Sequence, residues 1–223
     1  MIDARNITLD LGGRRVLDGL SFSVEPGESV ALVGPNGSGK TSVLRCLLGL
    51  VPYRGEARID GHDCAREPIA ARTRVGYLPQ RPCFGDATAE EALRFVAHLR
   101  RVELGRVAAA LREVGLEGHA RDRARTFSGG MQQRLSLAAA LLADPKVLLL
   151  DEPTASLDRD GQADFLRIAS ALRRGGRTFL LSSHRAEEIA QLTDRVLELD
   201  GGRLRPARPM APVILLRPGR VAP

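Results

Sequence analysis

The sequence predicts an α/β fold with a mostly parallel sheet, and three features predict it. Ser29–Val33 is a short apolar run that passes through a glycine-rich turn into helical spacing from Thr41 to Leu50, a strand–loop–helix unit. Val147–Leu150 and Thr178–Leu181 are continuous apolar runs, the pattern of strands buried on both faces. Ahead of these, the first 25 residues alternate apolar and polar between turn signals, which adds an antiparallel β unit at the N-terminus.

In order along the chain, Ile7, Leu9 and Leu11 form one alternating face and Val16, Leu20, Phe22 and Val24 the next. Gly12-Gly13 and Pro26-Gly27 turn the chain around them. From Ala87 to about Leu116 the apolar residues Leu93, Val96, Ala97, Val107, Leu111 and Val114 recur at helical spacing. Ser128 to Ala143 reads as a further helix, with Ser128 as its N-cap. Val196–Leu199, Gly201-Gly202 and Arg203-Leu204 read as a closing hairpin. The tail 205–223 differs, with five prolines, four arginines and no acid. Its prolines oppose a helix or central strand, so it is expected outside the core, while Val213–Leu216 is apolar enough to pair as an edge strand or dock on a partner.

Composition narrows the classes. The 223 residues are 43% hydrophobic and 27% charged, ordinary for a globular chain and too apolar for disorder. No run approaches the ~18 uninterrupted apolar residues that a membrane span needs. Met1–Arg5 leads straight into a strand pattern without a secretory h-region, so a cytosolic location is expected. Cys46, Cys64 and Cys83 are odd in number and lack C-x-x-C spacing, which argues against a disulfide framework or zinc site. The net charge of +6 comes from 33 cationic residues, all arginine except Lys40 and Lys146. They are scattered among acids rather than gathered in a stripe, which fits a compositional bias better than a nucleic-acid surface. Lys40 therefore stands out as a position that requires a compact ammonium.

Gly34-Pro35-Asn36-Gly37-Ser38-Gly39-Lys40-Thr41 matches G-x-x-x-x-G-K-[ST] between an expected strand and an expected helix. Its glycines let successive backbone N–H groups turn inward to cradle phosphates, aided by the dipole of the helix that follows. Lys40 is expected to reach the β- and γ-phosphates, and the Thr41 hydroxyl to reach Mg²⁺. Leu148–Leu150 then ends in Asp151-Glu152, which puts a carboxylate at the carboxyl edge of the sheet, where α/β ligands bind. Asp151 suits the metal, and Glu152 suits polarising a water aimed at the γ-phosphate. The expected chemistry is nucleoside triphosphate hydrolysis.

Between Lys40 and Asp151 lies Phe127-Ser128-Gly129-Gly130-Met131-Gln132-Gln133-Arg134, and Pro153-Thr154-Ala155-Ser156-Leu157-Asp158 follows Glu152. With the motifs in this order, the chain resembles the ATP-binding subunit of an ABC transporter over roughly residues 1 to 205. The resemblance implies a P-loop NTPase core with an N-terminal antiparallel β subdomain and a helical subdomain that carries the signature motif. The expected division is 1–86 and 144–204 for the core, 87–143 for the helical subdomain, and 205–223 for the tail. The resemblance also implies ATP and Mg²⁺ as cofactors. Nucleotide contacts would come from Gly34, Pro35, Asn36, Gly37, Ser38, Gly39, Lys40, Thr41 and Ser42, with Leu11 at the base. Ser128, Gly129 and Gly130 would serve as the signature, which the anion-binding character of a helix N-terminus supports. Thr41, Gln80 and Asp151 would hold the metal, and Glu152, His184 and Gln80 would form the catalytic set. Gln80 lies in Tyr77-Leu78-Pro79-Gln80, and Ser156-Leu157-Asp158 forms the D-loop. The implied partners are a separate transmembrane permease and a second, identical ATP-binding subunit, head to tail, with each signature closing over the other's phosphate loop. The implied location is the cytoplasmic face of the inner membrane, held peripherally by the permease, with no nucleic acid expected.

The chain departs from the pattern in two places. The family places an aromatic ring on adenine just before the first hairpin turn, and here Leu11 stands there, offering apolar contact without a π face. Met131 stands where the signature commonly has Gln. Leu181-Ser182-Ser183-His184 resembles the exporter subunits of drug, polymer and copper-enzyme-maturation systems, since importers usually carry Thr before this His. A soluble ABC ATPase acting on nucleic acid or the ribosome is the alternative. Such proteins generally carry two ATPase units or a long coiled coil, and this sequence has one phosphate loop and only the short Ala87–Thr126 segment. A small-molecule P-loop kinase would lack Phe127–Gly130. Phe84, close to Gln80, is the candidate apolar anchor for a membrane-domain helix, or else a core residue.

Overall fold

The structure, a computed structural model, describes residues 1–205. Strands β1 (Ile2–Leu11) and β2 (Arg14–Val24) pair antiparallel across the two-residue Gly12-Gly13 turn, as their alternation predicts. β4 (Arg54–Ile59) joins the other side of β1 and β5 (His62–Asp63) follows it, giving the order β2-β1-β4-β5. The second sheet contains β3 (Ser29–Val33), β6 (Val75–Leu78), β7 (Val147–Asp151), β8 (Thr178–Ser182), β9 (Arg195–Asp200) and β10 (Arg203–Leu204). Its order is β10-β9-β3-β8-β7-β6, parallel throughout except for β10.

The strand sequences explain why this sheet is buried. Alternate residues point to opposite faces. Val30, Leu32, Leu149 and Leu180 enter the core shared with β1, β2, β4 and α1 (Lys40–Leu47). Ala31, Leu148, Leu150, Phe179 and Leu181 enter the other core, packed against α3 (Ala89–Arg100), α4 (Arg106–Glu113), α5 (Gly129–Leu141) and α6 (Arg159–Arg174). A run of apolar residues with no polar alternation is what two covered faces require. Cys46 and Cys64 are buried within the first core as small apolar side chains, and Cys83 is exposed.

The structure differs from the sequence reading in specific elements. The single helical stretch expected from Ala87 to Leu116 is two helices, because Arg101 takes a left-handed conformation (φ 55°) and the Val102 N–H turns back to the Ala97 carbonyl at 2.9 Å. α3 starts at a capping box, with Thr88 accepting from the Glu91 N–H and the Glu91 side chain accepting from the Thr88 N–H. The closing hairpin is present, and β9 also pairs in parallel with β3, a contact no local pattern reveals. The short α2 (Pro68–Thr73), α6 and α7 (Ala186–Leu192) were not assigned from sequence. Residues 206–223, and with them the expected edge strand at Val213–Leu216, lie outside the described residues. Among the described residues no helix is long and apolar enough to cross a membrane.

Candidate nucleotide site

β3, β7 and β8 are parallel neighbours or next-neighbours, so their carboxyl ends deliver three loops to one edge of the sheet. The loop after β3 is the glycine-rich turn. Gly34 has φ 152°, and a Cβ there would lie 2.1 Å from the Leu199 carbonyl oxygen, so any side chain would force the loop off the sheet. Gly39 (φ 107°) caps α1 with no side-chain hydrogen bond, and the first turn of α1 contains no acid. The helix N-terminus thus presents its amides to an incoming anion. Ser38 adds a buried hydroxyl without a hydrogen-bond partner, a further polar group suited to an anionic oxygen.

Lys40 is only 5% exposed. Its Nζ donates to the carbonyls of Gly34 (2.9 Å) and Pro35 (3.2 Å) and lies 3.8 Å from Glu152 Oε1. The ammonium is therefore held across the loop, where a phosphate cradled by the amides would meet it. Thr41 Oγ1 donates to Asp151 Oδ1 at 3.1 Å, joining the start of α1 to the end of β7. Among the described residues no three His, Cys, Asp or Glu side chains cluster as a metal cage. A hydroxyl beside one carboxylate is the donor set that suits Mg²⁺ completed by water and phosphate oxygens.

Glu152 follows Asp151 in a left-handed conformation (φ 44°), unusual for a residue with a side chain. That conformation separates the two acids. The Glu152 N–H donates to the Ser182 hydroxyl (2.9 Å) and the Ser182 carbonyl (3.1 Å), and the Ser182 hydroxyl donates to Asp151 Oδ1 at 2.6 Å. The Glu152 carboxylate reaches Gln80, whose Nε2 donates to Oε2 at 3.2 Å, and lies 3.6 Å from His184 Nδ1. One cavity of about 370 Å³ is lined by the glycine-rich loop, Lys40, Thr41, Ser42, Gln80, Glu152 and His184. The structure therefore brings residues 36–42, Gln80, Glu152 and His184 together at one cavity, with Asp151 bonded to Thr41 behind it.

Two groups of expected residues stand elsewhere. Leu11 sits at the β1–β2 hairpin end, 39% exposed, and is not among the cavity's lining residues. Val16, on the next strand, lines the cavity instead. Ser128, Gly129 and Gly130 are also absent from the lining. Ser128 caps α5 by accepting from the Met131 N–H at 3.3 Å, and Gly129 and Gly130 pack against Ser156 and Gly161. Phe84 is half-buried against the helical core. Ser182 was not singled out from sequence, although it bonds both acids. Its partners lie 30 residues or more away along the chain, beyond the reach of any local pattern.

The comparisons with known proteins meet this geometry. The family model described as ABC transporter matches residues 17–155. The chain belongs to the ABC transporter family. The linearmycin resistance ATP-binding protein LnrL of Bacillus subtilis is 35% identical over 92% of the chain and 68% of its own length. The Nod factor export ATP-binding protein I of Burkholderia orbicola is 41% identical, over 91% of the chain and 68% of its length. The zinc import ATP-binding protein ZnuC of Pseudomonas fluorescens is 37% identical, over 90% and 74%. A dimeric bacterial ABC transporter cassette, MJ0796, superposes with a TM-score of 0.81 at 25% identity, covering 92% of this chain and 97% of that one. As an ABC ATPase domain the chain binds and hydrolyses ATP. Its relatives serve both export and import.

Proposed function

We propose that this chain is the subunit that binds and hydrolyses Mg-ATP to drive export through a separate membrane permease, seated peripherally at the cytoplasmic face of the inner membrane. The convergence of Lys40, Thr41–Asp151 and Gln80–Glu152–His184 on one cavity carries the hydrolytic part of this reading. Lys40 and the loop amides bind the phosphates, and Thr41 and Asp151, with Gln80 nearby, hold the Mg²⁺. When bound, the metal neutralises charge on the phosphate oxygens. Glu152 accepts a proton from the attacking water, and Gln80 orients that carboxylate. His184, 3.6 Å from the same Glu152 oxygen that Gln80 bonds, is the group that would meet the γ-phosphate. Ser183 before His184 and the names of the resistance and Nod-factor relatives support export.

The same reading makes the working unit a head-to-tail dimer of identical subunits. Ser128, Gly129 and Gly130 form a capped helix terminus away from the chain's own phosphate cavity, as expected if they close over a partner's nucleotide. It also divides the chain into a core at 1–86 and 144–204 and a helical subdomain at 87–143.

The test is direct. Lys40→Ala is expected to abolish ATP hydrolysis in a phosphate-release assay while leaving the circular dichroism spectrum unchanged. Hydrolysis near the wild-type level would remove the phosphate-loop assignment. Purification from detergent extracts should recover the chain with a polytopic membrane protein; salt-sensitive recovery with nucleic acid would overturn the transport reading.

A further inference from the structure

Glu188 is a carboxylic acid only 2% exposed, and nothing in the hydrolytic site described above calls for it. It lies in the first turn of α7, directly after the loop that carries His184. The Ser183 hydroxyl donates to Glu188 Oε2 and in turn accepts the Arg185 N–H at 3.1 Å, so a closed set of bonds brackets His184 on both sides. Ser183 is 1% exposed. Two inaccessible polar side chains thus meet behind the loop that follows β8.

A buried carboxyl is costly unless its bonds are needed, and an exposed Glu would serve the helix N-terminus equally well. Burial pushes the Glu188 carboxyl above its ordinary range, and Oε1 has no hydrogen-bond partner. The His184 ring, by contrast, is 53% exposed, and Glu152 Oε2 lies 3.6 Å from its Nδ1, beyond hydrogen-bond distance. The position of that ring is therefore set by the backbone of its loop rather than by its own contacts.

We propose that Glu188 is a positioning residue: through Ser183 and the Arg185 N–H it holds the backbone on both sides of His184 and so fixes the imidazole over the γ-phosphate position. This rests on the hydrolytic role of His184 proposed above. Glu188 is not among the residues that line the nucleotide cavity and acts only through its neighbours.

The test uses the full chain with Glu188→Leu, Ser183→Ala and Glu188→Gln, and His184→Ala as reference. Turnover is measured with Mg-ATP, and the imidazole resonances of the four histidines are followed with ¹³C-labelled histidine. Glu188→Leu and Ser183→Ala should each lower kcat roughly 10–100-fold, the scale of a catalytic group displaced by about an ångström, with KM little changed. Glu188→Gln, which keeps an acceptor for Ser183, should stay near wild type. The His184 resonance, assigned by its loss in His184→Ala, should move in the first two variants and not in the third, while the other three stay in place. Combining Glu188→Leu with His184→Ala should add no further loss. An unmoved His184 resonance in both Glu188→Leu and Ser183→Ala would overturn the proposal, as would losses that multiply in the double variant. Wild-type turnover in His184→Ala would instead overturn the role given to His184.

Discussion

Glu152 takes a backbone conformation that costs roughly 1–3 kcal/mol for a residue with a Cβ, and the structure keeps it there through its N–H, which donates to Ser182. The two acids at the end of β7, Asp151 and Glu152, face different ways, one toward the Thr41 hydroxyl and one toward Gln80 and His184. A left-handed residue between them achieves this without a longer loop. Ser182 is nearly inaccessible and serves both, so Ser182→Ala removes a donor to Asp151 and an acceptor for the Glu152 N–H. A loss of about 1–3 kcal/mol in stability is expected, the cost of leaving buried polar groups partly unpaired, read as a lower Tm in calorimetry. The apparent affinity for Mg²⁺ should fall with it, since Asp151 loses the bond that orients it. At this scale the sequence was readable where chemistry sits in one contiguous motif: Lys40, Thr41, Asp151 and Glu152 were all named from neighbours in the chain. Ser182 and Val16 were not, because each acts through residues brought near only by the parallel pairing of distant strands or by the first hairpin.

Among the elements, the continuous apolar runs of β7 and β8 were legible because two covered faces leave no polar alternation. The break between α3 and α4 was not, since Arg101 is an unremarkable residue that takes φ 55° for reasons of packing around Ala97 and Val102. The first hairpin shows the same limit. Its alternation places Leu11 and Val16 on strands, but the β1–β2 register is interrupted by bulges that no alternation shows, and it is Val16 that lines the cavity. Leu11 remains at the hairpin tip, paired with Arg14. Leu11→Tyr is expected to tighten ATP relative to GTP by roughly 0.5–1.5 kcal/mol through stacking. Fluorescence titration with both nucleotides checks this. An unchanged preference would assign the base contact to the Val16 wall alone.

For the whole molecule, the question is why the Ser128-capped terminus of α5 stands apart from the chain's own phosphate loop. α5 packs deep in the helical core, so its Ser128 end cannot swing to the cavity without dismantling that core. In the proposed head-to-tail dimer a second subunit would bring one to each loop, with nucleotide held between them. Glu152→Gln keeps the shape of the side chain and removes the charge proposed to take up the water's proton, an expected loss of ~10²–10⁴-fold in rate. The variant is therefore expected to bind Mg-ATP normally, turn it over at a small fraction of wild type, and accumulate as an ATP-dependent dimer. Adding Ser128→Arg places bulk and charge at the closing terminus and should return the protein to monomer, with nucleotide binding to the phosphate loop retained. Size-exclusion chromatography with light scattering, with and without Mg-ATP, reads both outcomes. A Glu152→Gln chain that stays monomeric while saturated with ATP would transfer the closing step to the permease, as the element that must bring the two subunits together.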